Sequence, residues 1–173
     1  CAIAVHQGRT VQSRSADSIV QEARAIAVLP DFKGVIADVG GPTANMYGFE
    51  CDRKLKKGAC PDKRCLYPKV CPGLKVNHGP LISLLQRLRA IPGIRKIAVA
   101  SGVRYDMVLA DRAHGLAYLR EVVRHHVSGQ MKIAPEHSDP TVLAAMGKPG
   151  PGDLLAFRRL FNRLTKEERL NQF

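Results

Sequence analysis

Residues 34–45 read Gly-Val-Ile-Ala-Asp-Val-Gly-Gly-Pro-Thr-Ala-Asn, and this stretch decides the fold class. Its short apolar run stops at a double glycine, which is typical of a buried parallel strand that ends in a glycine loop. Two further apolar runs end in the same way: residues 96–100 before Ser101-Gly102, and residues 131–134 before Pro135-Glu136. The sequence therefore predicts three short buried strands, each followed by a polar loop.

Amphipathic helices separate these predicted strands. Apolar residues recur at helical spacing in four stretches: residues 19–29, 81–88, 116–127 and 142–161, the last interrupted at Gly147-Lys148-Pro149-Gly150. Strands that alternate with helices favour right-handed βαβ units and a parallel sheet. Because three strands cannot close a barrel, we predict an α/β fold with a parallel sheet, truncated at both ends.

The composition and the chain ends set the expected class of protein. Hydrophobic residues make up 45% of the 173 residues and charged residues 24%, which argues against a disordered chain. No apolar run reaches the length of a membrane span, so we expect a cytoplasmic protein. The chain begins at Cys1 and ends just after an amphipathic helix, without a capping glycine. We therefore expect residues 1–173 to be a fragment of one larger core domain.

The charge favours anionic partners. Lys and Arg total 27 against 15 Asp and Glu, a net charge of +12. A basic nucleic-acid-binding module is one function compatible with this surplus, and such binding would weaken steeply with salt. Against it, the positive charge is spread along the chain, Trp is absent and aromatic residues are only 5%. The chain therefore has few aromatic side chains on which single-stranded bases could stack.

Residues 49–75 are rich in Cys, Lys, Pro and Asp without periodicity, and we interpret them as an irregular insertion. Four of the five cysteines lie in it with the spacing C-x8-C-x4-C-x5-C: Cys51, Cys60, Cys65 and Cys71. Four thiolates on a loop that can wrap around one point favour zinc or an auxiliary iron–sulfur cluster. Because the CxxC pair of common zinc modules is missing, two disulfides or separate thiols stay open. Three histidines are candidate auxiliary ligands: His6, His78 and His137.

The three polar loops are the candidate functional site, since the carboxyl ends of parallel strands meet at one rim. They offer glycine amides, a hydroxyl, a guanidinium, a carboxylate and an imidazole, which suit a small molecule with an amino-acid part and a ribose. Each loop also has a purely structural interpretation. The double glycine can be a turn, Arg104 and Asp106 can form a weak surface ion pair, and Glu136 with His137 can cap a helix.

The residues of these loops resemble those of YgiQ-type radical SAM proteins. The resemblance covers essentially the whole chain, and its most specific stretch is Gly40-Gly41-Pro42-Thr43-Ala44-Asn45-Met46-Tyr47. Four other stretches carry it as well: residues 1–9, 12–15, 100–106 and 132–137. The resemblance implies a partial barrel of the radical SAM type and a [4Fe-4S] cluster that reduces S-adenosylmethionine to methionine and a 5′-deoxyadenosyl radical.

The resemblance also implies roles for individual residues. Cys1 corresponds to the last of three cluster cysteines, and the other two are absent from this chain. The methionine amino group would lie against Gly40, Gly41, Pro42 and Thr43. Ser101 and Arg104 are placed to reach the methionine carboxylate or nearby polar atoms. Glu136 corresponds to the acid that holds the ribose hydroxyls.

We therefore expect part of a radical SAM enzyme that uses an external electron donor and an unidentified substrate. Because two cluster cysteines are absent, this chain by itself is expected to be inactive. The alternative is the nucleic-acid-binding module with a cysteine-bound zinc, and the two are compatible if the substrate is RNA. A flavodoxin-like binding domain also fits the strand order, but it leaves the cysteines unexplained.

Overall fold

The computed structural model describes residue 6, residue 8 and residues 11–41, 43–62 and 64–173. Within these residues the elements follow the chain in this order: α1 (Ala16–Ala27), β1 (Val35–Ile36), α2 (Asp52–Lys57), α3 (Gly79–Arg89), β2 (Lys96–Ile97), α4 (Tyr105–Ala110), α5 (Gly115–His125), α6 (Pro140–Met146) and α7 (Pro151–Glu167). No helix in this described part is long and apolar enough to cross a membrane.

The helices that the periodicity predicts are all present. Helix α1 begins where the Ser15 hydroxyl accepts a hydrogen bond from the Ser18 N–H at 3.2 Å. Helix α3 buries one leucine stripe, which consists of Leu81, Leu84, Leu85 and Leu88. The predicted break at residues 147–150 separates α6 from α7. Burial of an apolar stripe is what the 3.6-residue period predicts, so these helices follow from local sequence.

Strands β1 and β2 pair in parallel, with Val35 opposite Lys96 and Ile36 opposite Ile97. Backbone hydrogen bonds extend this pairing beyond the two-residue strands, from Lys96 N–H to Gly34 O at 3.0 Å and from Val39 N–H to Ala98 O at 2.8 Å. Both strands are shorter than the sequence predicts. One reason is that the side chain of Asp38, instead of a backbone carbonyl, accepts the next hydrogen bond in the ladder, from the Ala100 N–H.

The third predicted strand, residues 131–134, forms a single parallel bridge between Val103 and Ile133. On its other side, the Met131 N–H donates to the carbonyl of Phe173 at 2.8 Å, and the Phe173 N–H donates to Gly129 O at 2.9 Å. Because only Ile133 forms a bridge, this segment does not form the consecutive pairs that define a strand. It still lies in parallel beside the extension of β2.

The core lies between the sheet and the helices. Helix α3 contacts α1, α5 and β2, while α7 contacts α4 and α5. The most deeply buried side chains come from these contacts, and Leu85, Leu119 and Val122 are fully buried. Burying a side chain of this kind contributes about 1.5–3 kcal/mol relative to leaving it exposed.

Two short helices were not predicted. Helix α2 lies in the insertion, so the expectation of a wholly irregular segment was wrong there. Its sequence, Asp-Arg-Lys-Leu-Lys-Lys, has no apolar stripe, and its one apolar side chain, Leu55, is 66% exposed. An acid in the first turn and lysines in the last turn stabilise this helix by interacting favourably with the helix dipole. A search for hydrophobic periodicity does not detect such a helix. Helix α4 is only six residues long and forms against α5 and α7.

The contact between α4 and α5 depends on the absence of a side chain at Gly115. A Cβ there would lie 2.1 Å from the carbonyl oxygen of Val108. We predict that Gly115→Ala forces the two helices apart and lowers the free energy of unfolding by about 1–3 kcal/mol, measured by urea denaturation. The control is Gly152→Ala in α7, where no described atom lies within 4 Å of the added methyl group. Equal stability of the two variants would contradict this packing argument.

Candidate functional site

The three polar loops lie side by side at the carboxyl ends of the parallel segments, as the sequence predicts. The Ala44 N–H donates to the carbonyl of Gly102 at 3.2 Å, which joins the glycine loop to the loop after β2. The Val103–Ile133 bridge then joins that loop to the segment that leads into Glu136. A Cβ on Gly102 would contact the Cβ of Ala134 at 3.5 Å, so these two backbones approach closely. We call this edge the polar rim.

Asp38 anchors the first two loops of the polar rim. Its Oδ1 accepts hydrogen bonds from the Ala100 N–H at 2.9 Å and from the Ser101 N–H at 3.2 Å, and its Oδ2 accepts one from the Ser101 hydroxyl. Partial burial acts to raise the pKa of Asp38, but these hydrogen bonds and the charge of Lys132 hold it below its usual value. Asp38 is therefore an ionised anchor, and the Ser101 hydroxyl is already oriented by it.

Gly40 is needed because Ser101 packs against its backbone. A Cβ at this position would lie 2.5 Å from the Ser101 Oγ and 2.7 Å from its Cβ. At Gly41, by contrast, the nearest described atom to an added Cβ is the Thr43 carbonyl oxygen at 3.9 Å. The first glycine thus serves the contact with Ser101, and the second leaves an exposed, uncrowded backbone.

A buried side-chain amide joins the glycine loop to the loop after β2. Asn45 is fully buried, and its Oδ1 accepts a hydrogen bond from the Arg104 N–H at 2.8 Å. Its Nδ2 donates to the Arg104 carbonyl at 3.0 Å and to His78 Nε2 at 3.1 Å. The Asn45 amide therefore pairs with the Arg104 backbone as a neighbouring strand would. Its oxygen and its amide nitrogen are both hydrogen-bonded inside the protein.

His78 was a candidate metal ligand in the sequence, and the structure corrects that interpretation. The ring is fully buried, stacked on Tyr118 at a centroid distance of 4.5 Å. Its Nδ1 lies 2.8 Å from Asp111 Oδ2, and its Nε2 faces the Asn45 amide nitrogen. With both ring nitrogens occupied in this way, His78 supports Asn45 and has no free nitrogen for a metal.

The pKa values of this buried pair define its charge state. Burial lowers the pKa of His78, although the neighbouring carboxylate acts in the opposite direction. Burial also acts to raise the pKa of Asp111, but hydrogen bonds from His114 N–H, His78 N–H and the His78 ring lower it overall. A neutral imidazole that donates from Nδ1 can accept the Asn45 amide proton at Nε2, so the network is satisfied only with His78 uncharged.

Arg104 is directed by an ion pair and is not part of a weak surface contact. Its Nε and Nη2 lie 3.0 and 2.5 Å from the two carboxylate oxygens of Asp106. The side chains are only 15% and 8% exposed, so the bidentate pair is largely removed from water. The remaining guanidinium N–H groups are those that Arg104 can offer to a ligand.

Glu136 sits on a strained turn in the third loop. Its φ angle is 68°, and the His137 N–H donates to the Pro135 carbonyl at 2.9 Å, which makes a γ-turn of the rare positive-φ type. Its carboxylate accepts a hydrogen bond from Lys148 Nζ at 3.0 Å and is 42% exposed. Strain of this kind concentrates at functional positions, and it presents the Glu136 carboxylate at the rim.

The neighbouring His137 has a structural role. Its ring Nδ1 accepts a hydrogen bond from the Asp139 N–H at 2.9 Å, and Asp139 in turn caps helix α6 through the N–H groups of Thr141 and Val142. The interpretation of Glu136 and His137 as the helix cap was therefore wrong, because Asp139 caps the helix. His6 is exposed.

A pocket of about 230 Å³ borders the glycine loop. Apolar side chains of α1 and α3 form its base, and residues 11–14 form one wall. That wall is held by hydrogen bonds from the Tyr47 hydroxyl to the Arg14 carbonyl at 2.8 Å and from the Gly48 N–H to the Ser13 hydroxyl at 2.9 Å. The described residues that line the pocket do not include Ser101, Arg104 or Glu136, so it lies beside the polar rim.

The remaining site residues of the sequence analysis are placed as follows. Thr43 is half-buried in the glycine loop, while Cys1 and Pro42 lie outside the described residues. Cys51, Cys60, Cys65 and Cys71 are free thiols, so the structure does not contain the two disulfides of the alternative interpretation. Among the described residues, no group of three or more His, Cys, Asp or Glu side chains is preassembled to hold a metal ion.

Three functional positions were missed by sequence reasoning: Asp38, Asp111 and Lys148. Asp38 carried a signal, because it interrupts the apolar run of a predicted buried strand and an ionised side chain there must find partners. Asp111 and Lys148 carried none, since their partners are 33 and 12 residues away in the chain.

The two glycines offer a direct test of the Asp38–Ser101 anchor. We predict that Gly40→Ala displaces Ser101, disrupts the hydrogen bonds to Asp38 and lowers the free energy of unfolding by about 1–3 kcal/mol. Gly41→Ala, one residue further on, should change it by less than about 0.5 kcal/mol. Urea denaturation of the two variants measures this difference, and a larger loss in Gly41→Ala would contradict the packing at Gly40.

The buried histidine predicts a pH dependence of stability. The unfolded chain takes up a proton on His78 at the ordinary histidine pKa of about 6.5, whereas burial lowers the pKa in the folded protein. The unfolded state then binds more protons, so stability should fall as the pH drops through that value. Asp111, whose pKa is held below its usual range in the folded protein, adds a further loss only in stronger acid.

The measurement is the urea midpoint between about pH 5 and about pH 8 in the wild type and in His78→Gln. The variant should be less stable near neutrality but should show a flatter pH dependence. His137→Gln, a change at an exposed histidine, is the control and should keep the wild-type slope. An unchanged slope in His78→Gln would show that another group, such as His125, controls the acid sensitivity.

Comparisons with known proteins identify relatives along the whole chain. A UPF0313 protein of Fusobacterium nucleatum is 56% identical over 173 residues, which cover all of this chain and 30% of that protein. A UPF0313 protein of Methanosarcina mazei is 52% identical over 167 residues, or 96% of this chain and 26% of that protein. A putative UPF0313 protein of Yersinia pestis is 44% identical over 174 residues, 22% of its length.

No family profile matches the chain, and no solved structure matches it. The names of the relatives state a family and no activity. The chain spans less than a third of the length of the curated relatives it matches. It is therefore similar, over its full length, to one segment of the UPF0313 proteins.

Proposed function

We propose that this chain is part of a radical SAM enzyme, which cleaves S-adenosylmethionine reductively and acts on a substrate that its sequence does not identify. The observation that carries the proposal is the meeting of three motif-bearing loops at one rim, joined by the Ala44–Gly102 hydrogen bond and the Val103–Ile133 bridge. These are the loops on which the resemblance to YgiQ-type proteins rests. Similarity to UPF0313 proteins supports the same conclusion.

The donor set of the polar rim fits S-adenosylmethionine. The ligand has a ribose with two hydroxyls, and the exposed carboxylate of Glu136 can accept hydrogen bonds from them. It also has an ammonium and a carboxylate, which require carbonyl acceptors and cationic or N–H donors. The uncrowded backbone at Gly41 and the remaining N–H groups of Arg104 are of these types. The fold is then proposed to be a partial βα barrel.

The [4Fe-4S] cluster would be held by Cys1 together with two cysteines from outside this chain. When bound, it supplies the electron that splits S-adenosylmethionine into methionine and a 5′-deoxyadenosyl radical, with an external donor as the source. The chain's own residues orient the ligand. Asp38 holds Ser101 in place, Asn45 fixes the Arg104 backbone, and the strained turn presents Glu136.

Lys148 pairs with the Glu136 carboxylate at 3.0 Å. A ribose that approaches Glu136 has to share this carboxylate with the ammonium group of Lys148 or displace that group. Because a carboxylate has about four acceptor positions, it can hold both. Lys148 then keeps the carboxylate oriented toward the ribose hydroxyls.

Nucleic acid is a second candidate ligand of the same protein. Residues 49–75 contain eight Lys or Arg and three Asp or Glu, so this insertion carries a net charge of +5 out of +12. A surface of this charge attracts polyanions. We place it second because the polar rim is suited to a small molecule, and because an RNA substrate would make the two functions one.

The ligand roles are tested by binding. We predict that Glu136→Gln weakens S-adenosylmethionine binding about tenfold, because a hydrogen bond to a charged group contributes about 1.5–3 kcal/mol. The control is Asp31→Asn, a change at an exposed carboxylate outside the rim. Titration calorimetry measures both. An equal affinity of wild type and Glu136→Gln would exclude the ribose-binding role.

The reaction is tested in the full-length protein, reconstituted without oxygen and given S-adenosylmethionine and dithionite. We expect 5′-deoxyadenosine, detected by chromatography, and its complete loss in Cys1→Ala. Ser128→Ala, a change at an exposed residue outside the three rim loops, should retain the activity. The proposal fails if the protein binds no iron–sulfur cluster, or if product forms equally without Cys1.

A further inference from the structure

The insertion of residues 49–75 contains four thiols that the proposed reaction does not use. We call Cys51, Cys60, Cys65 and Cys71 the insertion thiols. Three of them are half-buried and Cys65 is exposed. A buried thiol that fills space in a core needs no partner, but four thiols within 21 residues in a charged, irregular segment call for a chemical explanation.

The fold of the insertion brings the thiols together. Its two ends are joined by an antiparallel bridge between Glu50 and Lys75, which places Cys51 beside the end of the segment. The Cys71 N–H donates to the carbonyl of Cys65 at 2.8 Å, so these two residues are neighbours as well. The chain therefore folds back on itself, and residues separated by up to 25 positions become adjacent.

Gly73 lies between two of the sulfurs. A Cβ on this residue would lie 3.6 Å from Cys51 Sγ and 3.8 Å from Cys71 Sγ. The absence of a side chain leaves room between two thiols that come from opposite ends of the insertion. Cys60, the fourth thiol, lies five residues before Cys65 in the same segment.

The insertion has only a small apolar cluster to hold it together, against which four of its half-buried side chains pack: Cys51, Leu66, Val70 and Cys71. Its buried apolar residues are Phe49 and Leu74, which pack with Met107 in a small cluster separate from the main core. Helix α2 has no buried residue. Eight basic side chains within 27 residues repel one another, and a segment of this size normally needs a disulfide or a metal to fold stably.

We infer that the insertion thiols form a tetrathiolate site for a metal centre, separate from the proposed catalytic cluster. Four cysteines are the ligand set of structural zinc sites and of iron–sulfur clusters. A zinc ion bound by four thiolates has a net charge of about −2, which the surrounding lysines and arginines offset.

Metal binding requires a local rearrangement, because the described side chains are not preassembled around an ion. The insertion is suited to it. Cys65 is exposed, so its side chain can rotate with little packing to disturb, whereas Cys51 and Cys71 pack against the cluster of Phe49, Leu74 and Met107. Coupling of this kind between binding and ordering is usual for small metal-binding segments.

The test is the metal content of the chain in a Cys1→Ala background, which removes the proposed catalytic ligand. We expect about one zinc ion or one iron–sulfur cluster per chain after anaerobic purification, measured by elemental analysis. Absorption in the visible range separates the two, because the cluster is coloured and zinc is not. Loss of the metal in Cys65→Ala is the expected result, since Cys65 is exposed and its replacement does not disturb a packed core.

A second variant separates ligation from misfolding. Cys65→His keeps a zinc-ligating group at the position, so a zinc-bound chain should retain its metal where Cys65→Ala loses it. Alkylation provides an independent readout, because metal-bound thiols should become reactive only after treatment with a chelator.

Three results would overturn the inference: no metal in the anaerobically purified chain, metal that survives Cys65→Ala, or a mass that shows two disulfides. None of them depends on cleavage of S-adenosylmethionine. Failure of this site and failure of the proposed function are therefore distinguishable.

Discussion

The side-chain amide of Asn45 is the interaction on which the geometry of the polar rim depends. It pairs with both the N–H and the carbonyl of Arg104, as a peptide group in a neighbouring strand would. The regular sheet has ended before this point, so a side chain continues its hydrogen bonding. His78 accepts the second amide proton of Asn45, and Asp111 holds His78. A chain of three buried polar side chains thus fixes two surface loops, and leaving any member unpaired would cost about 1–3 kcal/mol.

The rim itself is built from groups that are paired before any ligand arrives. Ser101 donates to Asp38, Arg104 is bound to Asp106, and Glu136 is bound to Lys148. Each pair limits the orientations of a side chain that would contact the ligand. Such preorganisation would reduce the entropy lost on binding of the proposed ligand.

The insertion contacts a segment beside this rim through the side chain of Arg64. The guanidinium of Arg64 lies over Gly147, where an added Cβ would be 2.5 Å from its Nη1. Gly147 has a φ angle of 67° and ends helix α6 immediately before Lys148. A physical path therefore runs from the insertion to Lys148 and on to Glu136.

Local sequence by itself determined five of the seven described helices, the parallel direction of the strands and the meeting of three loops at one rim. These features follow from apolar periodicity, glycine punctuation and the geometry of βαβ connections, all of which act over short stretches of chain. Helix α2 was not predicted because its stability comes from charge placement and not from an apolar stripe. The third strand was overestimated because its apolar run resembles a strand whether or not its neighbours supply consecutive partners.

Only the tertiary structure decided the partners of the polar residues. The sequence could not show that His78 supports Asn45 instead of a metal, that Asp38 replaces a carbonyl in the ladder, or that Lys148 reaches Glu136. Hydrogen bonds form between atoms within about 3 Å of each other, whatever their separation along the chain. Residues that are 33 or 62 positions apart in the chain meet here because burial of apolar side chains packs the helices and loops together. Composition and spacing thus determined which groups were present, and packing decided which of them meet.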